Sequence, residues 1–108
     1  METPTTPTSF VADVRDGAEP GPRGLGHSTV LSSPDVRVVV LTFEAGHVMK
    51  EHRAPKTLLL QALDGRLRIT AGGEVTELVP GALLRLEASL LHEVEALEPS
   101  RLMLTLVG

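Results

Sequence analysis

GHVMKEHRAPKTLLLQALDG, residues 46–65, is the stretch whose reading decides the fold. A glycine turn opens it, and a short strand over Val48–Arg53 carries His52. The strand stops at Ala54 because the residue before Pro55 is restricted by the proline ring. Thr57–Leu63 is the next strand, ending at Asp64-Gly65. That dipeptide suits a tight hairpin, because both central residues tolerate positive φ, so a hairpin is expected there. A second glycine-led stretch answers the first: PGALLRLEASLLHEVEA, residues 80–96, which delivers His92.

Working outward, the pattern is the same on both sides. His27–Leu31 is a candidate strand ended by Ser33-Pro34-Asp35. Val36–Phe43, VRVVVLTF, is rich in the β-branched residues that fill a pleated, buried surface. Arg66–Ala71 alternates charged and apolar residues, as a strand with one wet face does. Gly72-Gly73 turns the chain into Glu74–Val79, and Pro80-Gly81 turns it into Ala82–Glu87. His92–Leu97 and Arg101–Val107 complete the set, the last being either a buried centre strand or part of a subunit contact. Roughly eight or nine short strands with turn residues at nearly every junction predict an all-β sandwich or barrel, not a parallel α/β fold. Residues 82–91 alone tempt a helical reading, and the Pro-Gly turn before them fits β equally well.

Residues 1–26 read as an irregular N-terminal tail and loop ahead of a barrel over residues 27–108. Ser9–Val14, with Phe10, Val11 and Val14, is the candidate edge strand or sheet cover within that segment. Ala18–Gly26, with Pro20, Pro22 and three glycines, suits neither a helix interior nor a central strand.

Composition narrows the function classes. A chain of 108 residues holds one domain, large enough to fold without staples. Cysteine is absent, which removes disulfides, thiolate metal sites and a cysteine nucleophile. Ten Lys and Arg against fourteen Asp and Glu leave a net charge of −4, and the two Phe stand without Trp or Tyr. Nucleic-acid binding is not expected of a surface lacking both basic charge and stacking platforms. No secretory leader pattern opens the chain, and no apolar stretch approaches the roughly 20 residues of a membrane span. A soluble cytoplasmic protein without membrane partners is the expectation.

On these two glycine-led motifs the chain resembles the cupin superfamily, the small RmlC-like jelly-roll or double-stranded β-helix barrels. The first cupin motif runs glycine, five residues, His-x-His, three or four residues, glutamate, six residues, glycine. Gly46, His52 and Gly65 fall on it, while Ala54 and Leu58 stand at the second histidine and the glutamate. In the second motif Gly81 and His92 match, and Glu87, Ser89 and Ala96 replace proline, glycine and asparagine. The resemblance implies that His52 and His92 are two survivors of a four-residue metal shell. It also implies a homodimer, since cupins commonly pair through their sheets.

With His52 facing the barrel interior, alternation places Ala54, Leu58, Leu60 and Ala62 on the same side, and Val94 beside His92. The expected site is therefore an apolar pocket with two imidazoles, suited to a small-molecule ligand. The alternative is a metal-dependent cupin enzyme, a dioxygenase, isomerase or lyase, holding a divalent transition metal on His52 and His92. His47, Glu87 or waters would complete that shell, although His47 lies an odd five residues before His52 and should face the other way on a regular strand. Metal-free acid–base chemistry by the same pair and a closed, purely structural barrel are the remaining readings. His27 and His47 taken singly read as ordinary surface or loop histidines.

Overall fold

Along Val36–Phe43 the residues Val39, Leu41 and Phe43 point into the core, as a side-chain period of two requires. The computed structural model describes residues 7–108. Nine strands and no helix occur among the described residues: β1 (Leu25–Ser32), β2 (Val36–Phe43), β3 (Val48–His52), β4 (Thr57–Asp64), β5 (Leu67–Ala71), β6 (Glu74–Leu78), β7 (Leu84–Leu86), β8 (His92–Ala96) and β9 (Ser100–Val107). They form two antiparallel sheets of order β1-β2-β9-β4-β7 and β3-β8-β5-β6. The architecture is an all-β jelly roll, with the core between the two sheets.

β9 is a centre strand, flanked by β2 and β4, and Ser100, Leu102 and Leu104 on its inner face are buried. Phe43, Leu60, Leu67, Ile69, Leu78 and Leu102 are all less than 2% exposed. Each such side chain contributes about 1.5–3 kcal/mol by leaving water. With so few aromatics, Leu and Val carry this core. On the outside, Arg66 pairs with Glu77 at 2.7 Å and Glu98 at 3.5 Å, and Arg68 with Glu95 at 3.1 Å. Glu74 is not among these partners. Exposed pairs of this kind add little stability.

The expected hairpin at Asp64-Gly65 does not form, because β4 and β5 belong to different sheets. Gly65 does take φ +77°, but it serves a corner that carries the chain across the barrel. A Cβ at Gly65 would run into Ser100 Oγ and the Pro99 carbonyl oxygen. Asp64 meanwhile binds the Arg101 guanidinium at 2.6 Å. The glycine signal was a demand for positive φ and close approach, which a sheet corner shares with a hairpin. The tight hairpin is found at Gly72 and Gly73, with φ +58° and +78° between the paired residues Ala71 and Glu74.

Ser9–Val14 forms no strand, and Phe10 is 89% exposed. Its neighbours prefer a local arrangement, in which Arg15 caps the Asp13 carboxylate and Ala18 N–H donates to the Arg15 carbonyl at 3.1 Å. Short polar side chains that bond nearby backbone compete with a ladder in this way. The following residues are held against the barrel: Ala18 is buried, and its carbonyl accepts from Arg101 Nε at 3.2 Å. β1 accordingly begins at Leu25, two residues before the expected start, and Gly26 leaves no room for a Cβ beside the Glu19 carbonyl.

Candidate functional site

The two glycine-led motifs meet between β3 and β8. Val48 pairs with Glu95, Met49 with Val94, and His52 with His92. Two residues of β3, Lys50 and Glu51, therefore stand opposite the single Glu93, a β-bulge. The bulge decides which way His52 points. Met49 packs on the core, and three positions along a regular strand His52 would face solvent. The inserted residue resets the phase, and the His52 ring comes to rest 4.2 Å from the His92 ring, centroid to centroid, tilted by 58°.

His47 precedes β3, and its ring packs 5.9 Å from that of the core residue Phe43. It lies at the far end of β3 and is absent from the cavity wall described below. Glu87 is exposed in the β7–β8 connection and Glu93 is partly exposed. That connection also contains Ser89, at the motif's glycine position, which takes φ +66°. A left-handed conformation costs a non-glycine residue roughly 1–2 kcal/mol. The turn is nevertheless kept, because Ser89 N–H donates to the Ala54 carbonyl at 2.7 Å and so ties the second motif to the first.

The tautomers follow from backbone partners. His92 Nδ1 lies 3.2 Å from the Leu90 carbonyl oxygen, which can only accept, so Nδ1 carries the proton. His52 Nδ1 has the corresponding carbonyl of Lys50 at 3.4 Å, a longer contact. Each ring thus has the carbonyl of the residue two before it beside Nδ1, and in His92 this leaves Nε2 with its lone pair. His92 is fully buried, and its Nε2 finds no hydrogen-bond partner among the described residues. Burial lowers the His92 pKa, the Leu90 bond opposes that in part, and nearby His52 lowers it further. His92 is consequently neutral at pH 7.

Beside His52 opens a cavity of about 310 Å³, at the small end of the range for ligand pockets. His52, Ala54 and Leu58 are in its wall, while His92, Leu60, Ala62 and Val94 are packed in the core behind it. The other aliphatic contributions come from Leu25, Val39, Leu41, Met49, Leu104 and Leu106. Two polar residues join them that the motif frame does not include, His27 of β1 and Arg37 of β2. Arg37 was legible in principle, since alternation puts it on the face of Val39, Leu41 and Phe43.

For a metal ion the donor set is short. Two adjacent imidazoles, each with a carbonyl beside Nδ1, suit ligation through Nε2. Catalytic zinc centres generally use three protein ligands, and Ala54 and Leu58 offer only hydrocarbon at the other motif positions. No group of three or more His, Cys, Asp or Glu side chains able to hold a metal ion occurs among the described residues. A three-ligand centre supplied by the described residues alone does not fit.

No protein-family model matches the sequence, and no curated protein does. Solved structures do match in shape. KdgF from Halomonas sp. superposes with a TM-score of 0.81 at 22% identity, covering 93% of each chain. A cupin superfamily protein from Desulfitobacterium hafniense gives 0.80 at 17% identity, covering 99% of this chain and 98% of that one. Salicylate 1,2-dioxygenase from Pseudoaminobacter salicylatoxidans gives 0.73 at 15% identity, over 80% of this chain and 27% of its own longer one. Two facing antiparallel sheets, the two glycine-led motifs and these superpositions agree: the fold of this chain is that of the small, RmlC-like single-domain cupins.

Proposed function

We propose that the barrel binds a small, largely apolar organic molecule in the cavity beside His52. One observation carries this reading: an aliphatic hollow of about 310 Å³ has in its wall an imidazole stacked on a second, buried and neutral one. Apolar lining gives affinity for hydrocarbon, and a few convergent polar groups fix orientation. His52 supplies the polar contact, and the His92 ring packs behind it at 4.2 Å. Filling the hollow tests the reading. Benzamide and hexanamide should perturb the backbone NMR signals of Leu41 and Leu104 in the native protein, and Ala54→Phe should weaken that binding at least ten-fold. Perturbations scattered over the surface, or unchanged by Ala54→Phe, would rule the cavity out.

A second reading is favoured by the two anchored imidazoles, which present both Nε2 atoms as acceptors. In it the barrel is a metal-dependent enzyme of the dioxygenase, isomerase or lyase kind, with His52 and His92 holding a divalent transition metal. The missing positions would fall to solvent or substrate. Metal analysis of protein purified without a histidine tag separates the two. One tightly held metal per chain, lost in both His52→Ala and His92→Ala, would replace the first reading with the second.

A further inference from the structure

We infer that the occupant of this cavity is an apolar monocarboxylic acid, its carboxylate held at the rim by Arg37. The inference rests on the cavity reading above and adds the chemical class. The wall is divided: hydrocarbon fills most of it, and its polar groups are His27, Arg37 and His52. Among the described residues no carboxylate lines it. In a chain with fourteen Asp and Glu against ten Lys and Arg, that is a local reversal of the overall charge.

Arg37 differs from three other arginines of the barrel in what it touches. Arg66, Arg68 and Arg101 each meet a carboxylate within 3.1 Å. Arg37 has as its side-chain partner the neutral Thr29 hydroxyl, which its NH2 group reaches at 3.2 Å. Thr29 pairs with Val39 across β1 and β2, so the contact runs diagonally between inner-face positions. It draws the guanidinium toward β1, where His27, two residues before Thr29, shares the same face. A permanent cation is thereby positioned at the edge of a greasy hollow with donors unused.

A guanidinium fork matches a carboxylate in plane and spacing and can bind it through two parallel hydrogen bonds. A single fixed cation suits a monoanion, and the hydrocarbon wall requires the rest of the ligand to be apolar. Unbranched or aromatic acids of benzoate or hexanoate size satisfy both demands.

Matched pairs test this: benzoate against benzamide and hexanoate against hexanamide, titrated into the full chain by NMR. Each acid should bind at least ten-fold more tightly than its amide. In Arg37→Gln, whose side chain is exposed and whose fold is checked by circular dichroism, the acids should fall to within about two-fold of the amides. Arg37→Lys, which keeps the charge and loses the fork, should retain part of the preference. Equal binding of acid and amide in the native protein would overturn the carboxylate inference and leave the cavity reading standing. An acid preference surviving in Arg37→Gln would overturn the role of Arg37. Displacement of benzoate by equimolar inorganic phosphate would mark a general anion site and overturn the monocarboxylate class. Failure of the amides as well would bring down the cavity reading itself.

Discussion

Gly65→Ala lowers the unfolding free energy by roughly 2–5 kcal/mol, the sum of a left-handed backbone and an overfilled corner. Gly65 sits at φ +77°, and a methyl group there meets the Pro99 carbonyl and Ser100 Oγ, neither of which is free to retreat. Ser100 is buried and its hydroxyl already accepts from Arg66 N–H at 2.9 Å and donates to the Glu98 carbonyl at 2.7 Å. Gly73→Ala is the control, because Gly73 has the same φ of +78° with nothing within 4 Å of the added carbon. Only the backbone cost, roughly 1–2 kcal/mol, applies at Gly73. Urea denaturation of the two variants reads the difference directly. Equal losses would show that the crossing between sheets tolerates a side chain and that packing at the corner is looser than described.

Stability falls as the solution is acidified from pH 7.5 toward 5.5, and His92 is a principal cause. Its folded-state pKa is lowered by burial, with the ordinary imidazole value of about 6.5 as the unfolded reference. Below that reference the unfolded chain takes up a proton that the native imidazole resists, so the stabilisation present above it is lost as pH falls toward the folded value. One proton sets a ceiling of about 1.4 kcal/mol per pH unit. His52, the titratable group stacked on it, opposes the second charge and keeps the effect in the same direction. His92→Asn retains a donor for the Leu90 carbonyl without titrating. It should be less stable at pH 7.5, from lost packing, yet show a distinctly shallower slope of urea midpoint against pH. A slope as steep as that of the native protein would place the proton uptake elsewhere.

Much of the barrel was legible because its strands obey the period of two. Val36–Phe43 needed no context, since β-branched residues on a buried strand can be read one by one. What the sequence concealed were departures from that period and residues whose demand has two solutions. Asp64-Gly65 announces positive φ but not whether the chain folds back or crosses over, and only β9 docking beside β4 decides for the crossing. The bulge at Lys50 and Glu51 has no residue signature. The motif spacing places His52 and His92 together because it already contains that extra residue. Arg37 and His27 lie outside both motifs, and only the closure of β1 and β2 over the cavity brings them to the wall. Ser9–Val14 looked like a strand because three apolar residues lie close together, but Asp13 and Arg15 satisfy each other first.

The surplus residue in β3 also fixes how this barrel can change by insertion and deletion. Removing one amino acid between Met49 and His52 would leave the strand long enough to pair, yet swing the imidazole through half a turn to the outside. His92 would stay behind, sealed in the wall without its companion. Loss of a single codon would thus silence the pair in one step, while replacements at Lys50 or Glu51 that preserve the count would leave it facing inward.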